Sequence, residues 1–137
     1  MIKNNFIGGN RISFLFIAFA IVLLIASCQS ETGDKTVVKI EAKTDSVISA
    51  DNIQIYYDVY GENEKTVVFV HGWSCDRSYW SNQVDEFAKK YRVVNIDLGG
   101  HGESGLGRDD WTIPAFGADV AAVVNKLGLT DVILVGH

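Results

Sequence analysis

Three short stretches hold residue types that can do chemistry at close quarters: His71-Gly72-Trp73-Ser74, Asp97-Leu98-Gly99-Gly100-His101-Gly102-Glu103-Ser104, and Gly136-His137. Imidazoles move protons or hold metals, and glycines let main-chain N–H groups come close to a ligand. A strand that ends in Gly-x forms the first half of a nucleophile elbow, the strained strand-to-helix turn that lifts a reactive side chain above a sheet. His71 and His101 lie 30 residues apart, which matches no zinc-ligand spacing, so no metal is expected. Both are read as imidazoles bonded to loop backbone, and His137, at the x position, as a flank rather than a base. Cys75 follows a strand in a loop, not in an elbow, and reads as a pocket-wall or inert thiol.

The elements that must position these stretches can be read from periodicity. Thr66-Val67-Val68-Phe69-Val70 is continuously apolar, as a strand covered on both faces is, and it runs straight into His71. Arg92 to Asp97 reads as another buried strand and opens the second stretch; Asp131 to Val135 delivers Gly136. A helix is predicted from about Tyr79 to Lys90, with Trp80, Val84, Phe87 and Ala88 on one face. A second helix starts at the N-cap Thr112 with Pro114 in its first turn, presents Phe116, Val120, Val123, Val124 and Leu127, and stops at Gly128. Ahead of them, Ser46 to Ser49 and the alternating Ile53 to Tyr60 read as antiparallel strands around an Asp51-Asn52 turn. The order is that of the front half of a doubly wound α/β sheet. Asp97 and the glycines after it read as turn formers, with Gly99, Gly100 and Gly102 at positive φ. Trp73, Tyr79, Trp80 and Trp111 are placed near a pocket entrance, with core the alternative for Trp80.

The front of the chain differs in kind. Lys3 and Arg11 precede the uncharged run 12–27, which is shorter than the roughly 20 residues a spanning helix needs and is followed directly by Cys28. Leu24-Ile25-Ala26-Ser27-Cys28 resembles a bacterial lipobox, so residues 1–27 read as a lipoprotein signal peptide and Cys28 as the lipidation site. Residues 28–45 read as a polar tether, whose Val37-Val38-Lys39-Ile40 is alternatively an edge strand, and residues 46–137 as the domain. Cleavage before Cys28 removes Lys3 and Arg11 and no acid, leaving 10 Lys and Arg against 17 acids, so the formal net charge goes from −5 to −7. An acidic mature chain gives no reason to expect a nucleic-acid partner. The expected location is the bacterial cell envelope, with the membrane held through the Cys28 anchor.

His-Gly at the tip of one strand, Asp97 to Ser104 at the tip of the next and Gly136-His137 at the tip of a third make the chain from about Ser46 to His137 resemble the α/β-hydrolase superfamily. The resemblance implies the amino-terminal half of that fold, truncated before the nucleophile elbow, with the nucleophile directly after His137. It implies an oxyanion hole with one donor from the Trp73 main-chain N–H and the other from the residue after the nucleophile. In acyl transfer such a donor is worth roughly 3 to 4 kcal/mol. His71, Gly72, Trp73, Ser74 and His137 then form the active-site loop that meets substrate, and Asp97, Gly100, His101, Gly102 and Ser104 a structural loop. The superfamily's chain order is nucleophile, acid, histidine, so Asp97, Glu103 and Asp119 are not the triad acid. The implied activity is serine-dependent hydrolysis of an ester or similar bond in a small, largely apolar substrate, without a cofactor, and the fragment by itself is expected to be inactive. The alternatives are an aspartate nucleophile, as in epoxide hydrolases and haloalkane dehalogenases, and a non-catalytic ligand-binding lipoprotein. Relatives of the aspartate class commonly carry proline after His-Gly-x, where this chain has Ser74.

Acylation needs the thiol at the new amino terminus. Cys28→Ser is therefore expected to abolish incorporation of a fatty-acid probe in metabolic labelling and to block maturation, while Cys75→Ser leaves both intact.

Overall fold

The computed structural model describes residues 39–137; the region read as signal peptide, Cys28 and the tether as far as residue 38 lie outside the described residues. Five strands form one mixed sheet in the order β1-β2-β4-β3-β5. They are β1 (Lys43–Ile48), β2 (Gln54–Tyr60), β3 (Thr66–Val70), β4 (Arg92–Ile96) and β5 (Ile133–Gly136). β1 pairs antiparallel with β2 and β2 antiparallel with β4, whereas β3 runs parallel to both β4 and β5. This is the α/β arrangement expected, mostly parallel behind an antiparallel start.

The apolar run of β3 and the burial of β4 from Val93 to Ile96 are explained by cover on both faces. Val68, Val94 and Ile96 point one way, into a cluster with Ile55, Tyr57 and Val123. Val67, Phe69 and Val93 point the other way, against Trp80, Val84 and Ala88. Val123 belongs to helix α2 (Ile113–Lys126), and Val84 to helix α1 (Ser81–Phe87), so the two helices sit on opposite faces of the sheet. Each fully buried aliphatic or aromatic side chain contributes roughly 1.5 to 3 kcal/mol. Phe69 stacks on Trp80 with centroids 4.8 Å apart, which assigns Trp80 to the core and not to a pocket entrance.

Several boundaries differ from the sequence reading. β1 begins at Lys43, inside the stretch read as tether, because polar pairs extend its ladder with β2: Thr44 donates to Asp58 at 2.6 Å and Lys43 to Glu62 at 2.8 Å. The helix expected from Tyr79 starts as a 3₁₀ turn, Arg77–Trp80, set by the Asp76 carboxylate, which accepts from the Ser78 N–H at 2.7 Å. α1 then ends at Phe87 rather than Lys90, although the stripe Trp80, Val84 and Ala88 is buried as its spacing predicts. β5 begins two residues late, since Asp131 takes φ 54 and turns the chain. α2 has the expected ends: Thr112 caps Ala115, Pro114 sits in the first turn, and Gly128 follows at φ 61.

α2 also carries a charge on its buried face. Asp119 is fully buried and receives Arg108 through two bonds, 3.0 and 2.6 Å, while Arg108 also reaches Asp51 at 2.8 Å. Removing one member of a buried pair leaves an uncompensated charge, which costs far more than the intact pair contributes. Asp119→Ala is expected to lower the unfolding free energy of the full-length protein by about 3 to 5 kcal/mol in urea denaturation. Glu103→Ala, which removes an exposed partner of Arg77, should change it by no more than about 1 kcal/mol.

Candidate active site

At the tip of β3 the chain makes a tight turn. The Cys75 N–H donates to the Gly72 carbonyl at 3.2 Å, and Ser74 takes φ 60, so Trp73 and Ser74 are the central residues of a type II turn with serine where glycine is usual. Among the described residues no acceptor meets the Trp73 N–H, and the side chain is 70% exposed. Gly72 is needed for closeness, not for an unusual φ. A Cβ there would lie 2.8 Å from the His137 carbonyl oxygen and 2.9 Å from its Nδ1. The His137 N–H in turn donates to the Val70 carbonyl at 3.2 Å, so the ends of β3 and β5 are held side by side.

The loop after β4 is built around Asp97, 1% exposed. Its carboxylate accepts from the Arg77 N–H at 2.7 Å, the Glu103 N–H at 3.0 Å and the Arg77 guanidinium. Asp97 is thus the loop's central acceptor as well as the turn former expected. Ser104 donates to its carbonyl at 2.7 Å and accepts from the Tyr56 N–H at 2.9 Å, tying the loop to β2. Arg77 also pairs with Asp58 at 2.8 Å and with Glu103. Burial opposes its charge, but the bonds and charges of Glu103, Asp97 and Asp58 outweigh burial and push the guanidinium further towards the protonated form. Gly100 and Gly102 have the expected positive φ, 78 and 54, whereas Gly99 does not. What crowds position 99 is the Arg108 guanidinium, 3.0 Å from where a Cβ would stand.

The two loops exchange hydrogen bonds through their histidines. His71, 2% exposed, accepts the Leu98 N–H on Nε2 at 3.1 Å and donates from Nδ1 to the Gly72 carbonyl at 2.8 Å. His101 accepts the Ser74 N–H on Nε2 at 3.4 Å and donates from Nδ1 to the Gly99 carbonyl at 3.0 Å. An N–H can only donate, so Nε2 carries the lone pair in both rings and the tautomer is fixed. With both nitrogens of each ring engaged by main chain, neither has a lone pair free to take a proton from a nucleophile. Burial holds the His71 imidazole below its ordinary pKa, against a smaller opposing effect of the Gly72 carbonyl.

Beyond the carboxyl ends of β3, β4 and β5 lies a cavity of about 490 Å³. His71, Gly72, Trp73, Leu98 and His101 form one side, Ile113, Phe116 and Val120 of α2 another, and Leu134, Gly136 and His137 the β5 side. A mostly apolar cleft at this end of an α/β sheet is the expected place for a ligand. Trp73 lies in T-shaped contact with His101 and Phe116, at 5.4 and 6.3 Å between centroids. Of the other aromatics, Tyr79 packs on the His137 ring at 4.3 Å, while Trp111 lies near the Arg108 guanidinium, 5.7 Å from its carbon, and outside the cavity wall. Ser74 sits beside the cavity, and Cys75 is a partly exposed free thiol. Glu103 and Asp119 are spent on Arg77 and Arg108. Among the described residues no group of three or more His, Cys, Asp or Glu could hold a metal ion. Arg77, Arg108, Asp58 and the cavity residues Ile113 and Leu134 were not singled out from sequence. The available signal was Asp119, a carboxylate on the apolar stripe of a helix, which demands a buried cation.

Residues 65–137 match the family described as the alpha/beta hydrolase fold. The chain is 36% identical over 93 residues to the non-heme chloroperoxidase of Burkholderia pyrrocinia, covering 66% of this chain and 34% of that protein. It is 37% identical over 93 residues to the bifunctional esterase/perhydrolase of Acinetobacter calcoaceticus, again covering 66% and 34%. Among solved structures it is similar to an epoxide hydrolase from Vigna radiata, with 29% identity, a TM-score of 0.62, and 72% of this chain and 30% of that chain covered. The chain spans about a third of the length of the curated relatives it matches.

The depressed His71 pKa has a stability consequence with a definite sign. Below its ordinary value of 6.5 the unfolded chain takes up a proton that the folded chain refuses. The contribution of neutral His71 is therefore complete above pH 6.5 and is lost as pH falls towards the lower folded-state pKa, at up to about 1.4 kcal/mol per pH unit. Urea unfolding of the full-length protein between pH 7 and pH 5 should show a shallower loss for His71→Gln than for the wild type; equal slopes would contradict the assignment.

Proposed function

The chain belongs to the α/β-hydrolase family, and from that premise we propose that the protein is a serine-dependent hydrolase of an ester or similar bond in a small, largely apolar substrate. The carrying observation is the convergence of the Trp73 N–H, which meets no acceptor among the described residues, with the end of β5 at the apolar cavity. Gly72 and His137 touch, so a residue that follows His137 in a longer polypeptide starts beside the Trp73 turn. A serine there attacks the substrate carbonyl and forms the acyl-enzyme. The oxygen that gains negative charge accepts from the Trp73 N–H and from the N–H of the residue after the serine. Acid and base come from later in the chain, and His71, Gly72, Ser74 and His137 shape the site without entering the proton transfers.

An aspartate nucleophile is the second reading, favoured by the similarity to an epoxide hydrolase. The turn supports serine instead: Ser74 has φ 60, and proline, held near −65°, cannot take that conformation. The proline common after His-Gly-x in the aspartate class would demand a different loop. We further propose that residues 1–27 direct export and that lipid on Cys28 keeps the domain, whose sheet begins at Lys43, at the membrane of the bacterial envelope through the polar residues between them. The uncharged run ending Leu24-Ile25-Ala26-Ser27-Cys28 supports this.

Trp73 occupies the second position of a type II turn, where proline is well tolerated, so Trp73→Pro deletes the N–H donor without dismantling the turn. In the full-length protein Trp73→Pro is expected to lower kcat on a short-chain nitrophenyl ester on the order of a hundredfold or more, while Trp73→Phe keeps most of it. Equal rates for the two folded variants would sink the oxyanion role.

A further inference from the structure

We propose that His71 and His101 form a reciprocal latch that orients the peptide planes on both sides of Trp73, making His101 a positioning residue for the oxyanion donor. This rests on the reading of the Trp73 N–H given above. The Gly72 carbonyl and the Trp73 N–H belong to one planar trans peptide and point in opposite directions. The His71 Nδ1–H that holds the Gly72 carbonyl at 2.8 Å therefore also sets the direction of the Trp73 N–H. The next peptide unit ends in the Ser74 N–H, and that N–H is held by His101 Nε2 at 3.4 Å. Each plane beside the Trp73 Cα is thus fixed by a different histidine.

The two histidines also fix each other's loops. His71, on the loop after β3, accepts from Leu98 on the loop after β4; His101, on the loop after β4, accepts from Ser74 on the loop after β3. Each ring is tied to its own loop through Nδ1, to the Gly72 and Gly99 carbonyls, and the rings lie 5.0 Å apart. His101 reaches the more strained partner. Ser74 holds a left-handed conformation that L-residues rarely adopt, and a bond to its N–H helps to keep it there. Without that bond the Trp73–Ser74 peptide is free to rotate, and the turn bond from the Cys75 N–H that also holds the Gly72 carbonyl loosens with it, which frees the plane of the donor.

The test compares His101→Ala and His101→Gln in the full-length protein. Gln can place an acceptor oxygen near the position of Nε2. His101→Ala is expected to lower kcat on a nitrophenyl ester about tenfold with KM changed less than about twofold, because the loss falls on a transition-state donor. It is also expected to speed hydrogen exchange at the Ser74 amide, and His101→Gln should recover most of both. Wild-type kcat and unchanged Ser74 exchange in folded His101→Ala would overturn the latch. If the wild type hydrolyses no ester, the functional reading falls, and Ser74 exchange alone decides: faster in His101→Ala supports the latch, unchanged overturns it. Should His101→Ala not fold, the ring nitrogens of the wild type decide by NMR. Nδ1–H tautomers at both histidines support the latch, and an Nε2–H tautomer at either refutes it.

Discussion

Everything at the open end of this sheet depends on the buried carboxylate of Asp97. A lone charge at 1% exposure would cost several kcal/mol, so its acceptor sites must be filled, and they are filled by groups from two different segments. The Arg77 main chain and guanidinium come from the 3₁₀ turn that ends the first loop; the Glu103 N–H comes from the second. Satisfying one carboxylate therefore fixes the distance between the two loops that carry His71 and His101. Arg77 continues the network to Asp58 on β2, and Asn95 on β4 donates to the Arg77 carbonyl at 2.8 Å, so the loops inherit the rigidity of the sheet.

A second network does for the cavity's far wall what Asp97 does for its loops. Arg108 and Asp119 join the segment after β4 to α2, and Asp119 also accepts the Gly99 N–H at 3.0 Å. Phe116 and Val120, on the same helix, are thereby held against the loop rather than left to the hydrophobic effect alone, which fixes no orientation. The Arg108 guanidinium lies 5.4 Å from the Phe116 ring centre, so cation and aromatic wall are placed together. Polar contacts determine where the apolar wall stands.

How much of this could be read from sequence follows from how local each signal is. β3 and β4 were legible because both faces are buried and their sequences carry no polar–apolar alternation to misread; α2 was legible because its cap, proline and terminal glycine are local signals that mark its two ends. β1 was less so, since Lys43, Thr44 and Asp45 are polar and enter the ladder only through partners on and beyond β2. Gly99 and Trp111 were misplaced for the same reason. What constrains the first and neighbours the second is Arg108, and Arg108 is positioned by residues 11 and 57 places away. The histidine bonds, across 27 residues, could be anticipated as bonds to backbone but not as an exchange between loops.

The chemistry of the site thus resides in main-chain orientation more than in reactive side chains. Both histidines use both nitrogens on backbone, the buried acids are paired with arginines, and the donor offered to a substrate is a peptide N–H. A peptide N–H can be aimed only by holding its own plane; the plane of the Trp73 N–H is held through the Gly72 carbonyl, and the next plane, across the Trp73 Cα, through the Ser74 N–H. In this chain those two atoms, the Gly72 oxygen and the Ser74 nitrogen, are the ones the imidazoles take. The fixed tautomer extends the constraint further: a ring that donates through Nδ1 to its own loop has only Nε2 left, and Nε2 can only accept. The partners that satisfy it in this chain are N–H groups of the opposite loop, so the two histidines form a crossed connection as long as both stay neutral.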